Sequence, residues 1–300
     1  MTPRPPGTES ASSGRADAAE YEVDVDLDAV VAEVLAWGGP RLRDLPWRHT
    51  RDPWRVLVAE IMLQQTQVSR VIDRWERFCE IYPTPADCAA APLGDVLRLW
   101  QGLGYPRRAR NLHLSATRLV DDHGGEVPGD LDALLALPGI GPYTARAVLV
   151  FAFERDEAVV DTNIARVLAR LVGRRLSPKA AQQLADALVP GGDGWLWNQS
   201  LMDLGATRCR PRPACEACPL AVVCAWCVAG HPDPDPAIGS AGVGGRQAPF
   251  VGSDRQARGE VLRDLMVSAQ PSERYRPEIV ASLITDGLVV ADDAGVISLP

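Results

Sequence analysis

The chain has 300 residues, of which 46% are hydrophobic and 23% are charged, and this length is enough for one large domain or two with a buried core. No run of eighteen apolar residues occurs and the first twenty residues lack the apolar core of an export signal, so a membrane span is excluded and a cytoplasmic protein is expected. The net charge of −8 is concentrated at the two ends, whereas residues 41–230 carry a small net positive charge, so a nucleic-acid partner is not excluded.

The predicted elements are helical along most of the chain. Residues 1–24, rich in Pro, Ser, Gly, Ala and acidic residues, are predicted to be a disordered tail. Apolar residues at helical spacing predict helices, in chain order, at Leu27–Trp37, at 54–80 with a break near Gln65–Thr66, at Asp87–Trp100, Arg108–Asp122 and Asp130–Leu137, from Tyr143 onward, and at Ile164–Val172, Pro178–Leu188 and Trp195–Leu204. No alternating strand pattern precedes residue 230, so the body is predicted to be all-α.

The last part of the chain follows a Gly- and Pro-rich stretch at 230–250, which is predicted to be a linker. Beyond it the pattern predicts helices at Asp254–Val267 and Arg276–Asp286 and a short strand pair over 287–299. Two helices and a β-ribbon in residues 251–300 are typical of a small winged-helix-like unit. The sequence therefore predicts a helical domain at 25–229, the linker, and this unit.

A motif suited to phosphate binding is LPGIGPYTA at 137–145, within a predicted helix–hairpin–helix at 130–155. Gly139 and Gly141 permit positive φ and close approach, which leaves backbone N–H groups at the start of the next helix free to hold a phosphate oxygen. Such a site binds the DNA backbone independently of the base sequence. The alternative is an ordinary pair of helices with a glycine cap. The length of the motif favours the phosphate-binding interpretation over this alternative.

Two carboxylates stand at positions that allow a chemical role. Asp161 follows an apolar pair and precedes a predicted helix. The commonest role for such a residue is a helix N-cap. The alternative is a functional role, as a carboxylate at the mouth of a cleft. Glu60 lies in an apolar helical stretch, and the pattern alone favours an exposed position on an amphipathic helix. It is followed by MLQQTQ at 62–67, whose amide and hydroxyl groups suit contacts to base edges.

Four cysteines within sixteen residues predict a metal centre. Spaced by five, two and five residues, they are Cys209, Cys215, Cys218 and Cys224. Four thiolates suit a tetrahedral zinc ion or a [4Fe–4S] cluster, and spacing alone does not decide between them. Cys227, three residues further on, could be a spare or substitute ligand, while Cys79 and Cys88 are predicted to be ordinary core thiols.

Taken together and in this order, the elements resemble the endonuclease III superfamily of DNA glycosylases. Glu60 with MLQQTQ, GLGYPRRARNLH at 102–113, LPGIGPYTA, and WNQSLMDLGA at 197–206 resemble MutY-type adenine glycosylases in particular. The resemblance covers roughly residues 40–230 and implies a two-lobed helical fold with an iron–sulfur loop at 209–224. It also implies a monomeric enzyme that flips an adenine paired with 8-oxoguanine or guanine out of double-stranded DNA and hydrolyses its glycosidic bond.

The resemblance assigns roles to residues of this sequence. Glu60 matches the acid that protonates the base and Asp161 the ionised carboxylate that faces the sugar, with Asn163 as the neighbour that orients it. The remaining matches are Trp47, Arg48, Leu63 and Gln199 in the adenine pocket, Gln65 and Tyr105 inserted into the duplex, Gly139 and Gly141 on phosphate, and the four cysteines on a [4Fe–4S] cluster. Gln64 and Thr66 are expected at base edges on the chemistry of their own side chains.

Tyr143 indicates which chemistry is absent. In the lyase branch of the superfamily a lysine occupies this place and forms a Schiff base with the abasic sugar. Here the only lysine is Lys179, at an apparent helix start elsewhere in the chain. Without that nucleophile, the resemblance implies a monofunctional glycosylase.

Two features depart from the family pattern. The first cysteine spacing is five residues instead of six, which leaves the recruitment of Cys227 open. Residues 251–300 are too few for the Nudix-like domain of long MutY proteins and resemble a shorter variety, so the selection of the opposite base is also left open. The alternatives are a thymine or uracil mismatch glycosylase acting opposite guanine, a non-catalytic DNA-binding iron–sulfur protein, and, third, a lyase-type endonuclease.

Overall fold

The computed structural model describes residues 26–243 and 249–300, and the predicted tail at 1–24 lies outside this part of the chain. The fold is mostly helical, as predicted. In chain order, the helices of the described part are α1 Leu27–Gly38, α2 Pro53–Leu63, α3 Val68–Ile81, α4 Pro85–Ala90, α5 Leu93–Leu99, α6 Arg107–His123, α7 Leu131–Leu135, α8 Pro142–Phe151, α9 Thr162–Leu171, α10 Pro178–Leu188, α11 Gly194–Thr207, α12 Ala225–Val228, α13 Asp254–Leu265 and α14 Pro277–Thr285.

Short 3₁₀ turns and three short strands complete the described elements. The 3₁₀ turns are Gly39–Arg41, Pro46–Arg48, Cys215–Ala217 and Ser272–Arg274, and the strands are β1 Gln270–Pro271, β2 Val290–Ala291 and β3 Val296–Ser298. The strands form one antiparallel sheet in the order β1-β3-β2. With α13 and α14 they give the helix and strand content predicted for a winged-helix-like unit; β1 was not predicted because two residues carry no alternation.

The break predicted near Gln65–Thr66 is present, since α2 ends at Leu63 and α3 begins at Val68. The single helix predicted over Asp87–Trp100 is wrong, because α4 ends at Ala90 and α5 begins at Leu93. Pro92 disfavours helical backbone at Ala91, which is extended with ψ 145°, and Pro92 itself has no N–H to donate. The apolar spacing continues across this break and therefore conceals it.

Contacts divide the chain into two compact units. One unit, here called the cysteine unit, comprises the described residues of 1–42 and 156–245. In it α1 packs against α11, and α9 packs against α10, α11 and α12. Its core is built from fully buried side chains, among them Val34, Ile164, Leu168, Trp197 and Leu201.

The other unit, the hairpin unit, comprises residues 43–155 and the described residues of 246–300. Its central helix is α2, whose residues from Val56 to Met62 are all buried and which packs against α3, α6 and α8. The C-terminal elements belong to this unit: Arg98 Nε donates to Met266 O at 3.5 Å, and a Cβ at Gly287 would lie 2.7 Å from Arg110 Nε.

The two cysteines predicted to be core thiols, Cys79 and Cys88, are both buried in the hairpin unit. Burial raises the pKa of each thiol to about 12, so both are neutral near pH 7. In the described ranges, no helix is both long and apolar enough to cross a membrane.

A close helix contact in the cysteine unit leads to the first prediction. A Cβ added at Gly38 would overlap the Cβ and Oγ of Ser200 and lie 3.2 Å from its Cα. We expect G38A to lower the free energy of unfolding in urea by about 1–3 kcal/mol through overpacking, despite the better helix propensity of alanine. Adding S200G to G38A should recover part of the loss, because it removes the overlapping atoms.

Gly39, the next residue, provides the matched control. A Cβ there would meet nothing within 4 Å, and its φ of −44° suits any residue. G39A should change the unfolding free energy by no more than about 0.5 kcal/mol. If G38A and G39A unfold at the same urea concentration, the packing of α1 on α11 is not limited by this glycine.

Candidate active site and cysteine cluster

The predicted helix–hairpin–helix consists of α7, a turn at 136–141 and α8 in the hairpin unit. Gly139 has φ +77°, and a Cβ there would come within 2.6 Å of Asn111 Nδ2, so both its conformation and its surroundings require glycine. Ser115 Oγ donates to Pro138 O at 2.9 Å and holds the turn. The expectation of positive φ at Gly141 is wrong: its backbone is extended (φ −99°, ψ 176°) and it serves as the N-cap of α8. Nothing lies within 4 Å of where its Cβ would stand, which leaves the approach to the helix N-terminus open.

Glu60 is buried, with 5% of its surface exposed, although the pattern alone favoured an exposed position. All its neighbours on α2 from Val56 to Met62 are apolar and buried as well, because α2 is enclosed by other helices of its unit. A periodicity argument fails for such a helix, since no face of it is left for polar residues. The structure thus places one carboxyl group among buried apolar side chains.

The end of α2 contacts the start of α8. Gln64 Nε2 donates to Thr144 Oγ1 at 3.1 Å, next to Tyr143, which is half-buried in the first turn of α8. The hairpin unit therefore brings together two parts of the sequence that carried separate predictions: the glutamines that follow Glu60, and the hairpin with Tyr143.

Two irregular loops adjoin this region, and each contains a non-glycine residue with positive φ. Gln65, in the loop after α2, has φ 54° and is exposed, and Tyr105, in the loop before α6, has φ 49° and is half-buried. Such left-handed backbone conformations are uncommon for these residue types and cost of order 1 kcal/mol each. Both residues were predicted to insert into a duplex, and both lie at the strained points of their loops.

Arg108 joins the two loops. Its guanidinium group, from a residue that is only 9% exposed, is surrounded by backbone oxygens of both loops and of the last turn of α2. Its acceptors, at 2.6–3.1 Å, are the carbonyl oxygens of Ile61, Met62, Gln64, Leu103 and Gly104 and the hydroxyl of Thr66. The guanidinium also lies 5.4 Å from the ring centre of Tyr105 and 5.5 Å from that of Trp100. Arg108 is therefore a buried residue that holds backbone groups, although its neighbour Arg107 on the same helix is exposed.

The predicted pocket residues Trp47 and Arg48 form a 3₁₀ turn and are both buried. Trp47 packs edge-on against Trp75 at 6.0 Å between ring centres, and Arg48 Nη1 donates to Arg43 O at 3.0 Å. Leu63, the last residue of α2, is half-buried. The structure places these three in the same unit as Glu60, and places Gln199 in the cysteine unit.

In the cysteine unit, Asp161 is the N-cap of α9: its Oδ1 accepts from Ile164 N at 2.7 Å. Its Oδ2 accepts from Asn163 Nδ2 at 2.8 Å, and Asn163 Oδ1 in turn accepts from Arg166 Nη2 at 2.8 Å. Asp161 can therefore cap α9 with one carboxylate oxygen while the other oxygen is held by Asn163. Gly205 packs so closely on Asn163 that a Cβ would lie 2.8 Å from Asn163 O.

Two opposing effects act on the Asp161 carboxylate. Desolvation by the surrounding protein raises its pKa, while the hydrogen bonds from Ile164 and Asn163 and the charge of Arg166 lower it, and the net result is a raised pKa. The folded protein therefore binds this proton more tightly than the unfolded chain does. As the pH rises from the ordinary carboxyl pKa through the raised pKa of Asp161, the ionisation of this group lowers the free energy of unfolding.

The segment leading to Asp161 is held by Asn198 of α11. Asn198 Oδ1 accepts from Val159 N at 2.9 Å, and its Nδ2 donates to Glu157 O and Gly194 O, each at 2.8 Å. Gln199, predicted to line the adenine pocket, follows directly and is buried. Asn198 of the WNQS stretch thus holds the backbone segment that leads to Asp161.

Four predicted ligands and Cys227 line one cavity: Cys209, Cys215, Cys218, Cys224 and Cys227. Arg170 of α9 organises the surrounding loop: its guanidinium pairs with Asp235, donates to Arg210 O at 2.7 Å and to Cys209 Sγ at 3.4 Å, and lies 4.7 Å from the ring centre of Trp226. Although burial alone raises the pKa of Asp235, the Arg170 hydrogen bonds lower it on balance, which favours the ion pair.

The chemistry of this donor set fits a metal centre. Burial, together with the charge of the nearby cysteines, raises the pKa of Cys218 and Cys224 to about 11 each, so a bound cation is needed to hold several thiolates there near pH 7. His231 adds a nitrogen donor: the ligand atoms of Cys215, Cys227 and His231 all lie within 4.8 Å of one another. A Cys/His cluster able to bind a metal is therefore present.

Sequence reasoning missed the buried arginines and Asn198. Arg166 and Arg170 interrupt the apolar run from Ile164 to Leu171 one helical turn apart, and that spacing was a signal that they share a buried face. Asn198 lies within the WNQSLMDLGA motif, but the sequence pattern assigned it no role. Nothing in the sequence pointed to His231, which the turn after α12 brings to Cys215.

Residues 58–191 match the family described as HhH-GPD superfamily base excision DNA repair protein. The chain is 42% identical over 287 residues to the adenine DNA glycosylase of Mycobacterium tuberculosis, an alignment that covers 89% of this chain and 92% of that one. Among solved structures, it is similar to a thermostable thymine-DNA glycosylase (TM-score 0.65, 36% identity, covering 68% of this chain and 97% of that one). It is also similar to endonuclease III in a non-covalent DNA complex (TM-score 0.61, 27% identity, covering 69% and 98%).

The Arg108 contacts lead to the second prediction. R108K keeps the positive charge but replaces five fixed donors by a compact ammonium group, so several buried carbonyl oxygens lose their partners. We expect a loss of at least about 2 kcal/mol in unfolding free energy, with faster amide hydrogen exchange in both loops.

R107K is the matched control, because Arg107 lies on the same helix with 70% of its side chain exposed and makes only a 3.6 Å ion pair with Asp286. It should leave stability within about 0.5 kcal/mol of the parent protein. Equal hydrogen exchange in the two variants would show that Arg108 does not hold the loops.

Proposed function

Because the chain belongs to the adenine DNA glycosylases of the HhH-GPD superfamily, we propose that it is a monofunctional DNA glycosylase of base excision repair. Its substrate is an adenine mispaired with 8-oxoguanine or guanine in double-stranded DNA, and its reaction is hydrolysis of the N-glycosidic bond. The observation that carries the proposal is the buried carboxyl of Glu60 in a helix that is otherwise apolar from Val56 to Met62. A buried carboxyl without a catalytic purpose is a costly feature in such a helix.

The reaction divides between two carboxyl groups. The bonding electron pair leaves with the adenine, which needs a proton, while positive charge develops on the sugar, which water then attacks. Glu60, in apolar surroundings, gives the proton to the base. Asp161, ionised, stabilises the sugar, and Asn163 orients it through the 2.8 Å hydrogen bond. Glu60 lies among apolar side chains, whereas both oxygens of Asp161 accept hydrogen bonds that favour its ionised form and oppose the desolvation that raises its pKa.

The absence of a lyase step follows from Tyr143. A phenol on α8 cannot form a Schiff base, and Lys179 is an exposed residue in the first turn of α10, in the other unit. Base excision should leave an intact strand with an abasic site.

DNA is held through its backbone and opened at the target base. The hairpin supports the first part, because the N-terminal N–H groups of α8 face an open approach at Gly141. Gln65 and Tyr105, at the strained points of the two loops joined by Arg108, are the groups proposed to enter the duplex. Fixing such groups in advance reduces the entropy cost of inserting them.

The cysteine cluster is proposed to hold a [4Fe–4S] cluster through Cys209, Cys215, Cys218 and Cys224. When bound, it supplies iron–thiolate bonds that fix the loop 209–224. Arg210 and Arg212 on this loop, and Arg208 directly before it, are then presented for phosphate contacts.

The test is single-turnover excision on three duplexes, with adenine opposite 8-oxoguanine, adenine opposite guanine, and thymine opposite guanine, each with and without alkali. Adenine loss with strand breaks only after alkali is expected. Excision of thymine alone would favour a mismatch glycosylase, a candidate supported by the 36% identity to the thymine-DNA glycosylase structure. Breaks without alkali would contradict the monofunctional assignment.

E60Q and D161N test the two roles. Each should reduce the single-turnover rate by about 10²-fold or more, since each removes one partner of the charge separation, while DNA affinity changes little. Exposed residues provide controls, with E80Q on α3 for the first and D193N before α11 for the second. A rate within twofold of the parent enzyme for E60Q or D161N would remove the role assigned to that residue.

A further prediction concerns pH. Asn163→Ala removes a hydrogen bond that favours ionised Asp161, so the pKa of this carboxyl should rise further. Because excision requires the ionised form, the acid limb of the pH–rate profile should move to higher pH. The variant should therefore lose more activity at about pH 5.5 than at about pH 8. A uniform loss at all pH values would show that Asn163 does not act through the charge of Asp161.

A further inference from the structure

The cavity of the cysteine unit is lined by one thiol more than a four-ligand centre needs. Cys227 faces it together with the four predicted ligands. It lies on the short helix α12, which begins directly after Cys224, so the sequence contains two Cys-x₂-Cys pairs, Cys215 with Cys218 and Cys224 with Cys227. This spacing lets both thiolates of a pair bind one metal centre.

Cys227 lies close to one particular ligand. The sulfur atoms of Cys215 and Cys227 and a ring nitrogen of His231 form a group within 4.8 Å, and His231 Nε2 is 3.3 Å from Cys215 Sγ. Cys215 and Cys227 therefore compete for the same side of the cavity, and the other three cysteines are not members of this group.

The position of His231 is fixed by the structure around it. The backbone N–H of His231 donates to Trp226 O at 2.9 Å, and the imidazole ring packs edge-on against the Trp226 ring at 4.6 Å between ring centres. Trp226 is in turn held by its own Nε1 bond to Pro232 O at 2.9 Å and by the guanidinium of Arg170. A histidine held in this way is a constant hydrogen-bond partner for a thiol on this side.

We propose that Cys215 and Cys227 are alternative fourth ligands of the metal centre, and that His231 is the hydrogen-bond partner of whichever sulfur is not bound. The short loop of five residues between Cys209 and Cys215 limits the reach of Cys215, and Cys227 offers a second sulfur at that position. In the exchange one iron–sulfur bond breaks and one forms, and the proton that the entering thiol releases ends on the departing thiolate. The proposal rests on the [4Fe–4S] assignment made above.

Iron and acid-labile sulfide per chain test the proposal in four purified full-length variants. C215S and C227S should each keep the parent content, within about a fifth. C215S/C227S should lose most of it, at least fourfold, as C218S should, because only three thiols of the set remain in the double variant. If C215S falls to the level of C218S while C227S does not, Cys215 is obligatory and the proposal is wrong; a double variant with full content would overturn it equally.

A second measurement needs no substitution. Iodoacetamide treatment of the native protein, followed by mass spectrometry, should modify about one cysteine of the five per chain, distributed between Cys215 and Cys227. Modification of Cys227 alone would show that Cys215 is always bound and would overturn the proposal. A parent protein without iron and sulfide would instead contradict the cofactor assignment itself, so the two failures are distinguishable.

Discussion

Buried backbone carbonyl groups in loops and at helix C-termini need donors, and at two places in this protein arginine side chains supply them. Arg108 meets five carbonyl oxygens in the hairpin unit, two in the last turn of α2 and three in the loops after α2 and before α6, and Arg170 meets the carbonyl groups of Arg210 and Pro211 in the cysteine unit. An unsatisfied buried carbonyl costs about 1–3 kcal/mol, so neither irregular segment would keep its shape in an apolar surrounding without such a donor. The planar guanidinium group, with five donors in a fixed arrangement, meets this need in a way that an ammonium group cannot.

The same constraint connects the scaffold to the chemistry. Arg166 donates to Asn163, to Gly205 O at 2.9 Å and to Cys209 O at 2.6 Å, so one side chain contacts the neighbour of Asp161, helix α11 and the first residue of the cysteine cluster. In the hairpin unit Arg108 likewise ends the helix of Glu60 and shapes the loop of Gln65. The residues proposed to carry the chemistry therefore stand on backbone that buried guanidinium groups hold in place.

The parts of the fold that could be predicted were those encoded locally. Helical spacing, the Gly139 turn and the cysteine spacings each depend on neighbours in sequence, and the break after Leu63 was visible because glutamines interrupt the apolar pattern. The break at Pro92 was missed because apolar spacing continues across it. The burial of Glu60 and Arg108 could not be predicted, since it depends on helices that arrive from elsewhere in the chain, and a helix enclosed on all sides has no periodicity to read. The pairing of His231 with Cys215 depends on a turn with no signature.

A chain that relies on arginine and has one lysine also has an unusual surface. Lys179 is the only side-chain amine, and it is exposed in the first turn of α10, on the unit that does not contain Glu60. Amine-directed attachment of a dye or a surface linker therefore has a single side-chain target, and it leaves every guanidinium group unmodified. Single-molecule observation of the protein on stretched DNA could use this residue without any engineered cysteine, which spares the thiols of the cluster.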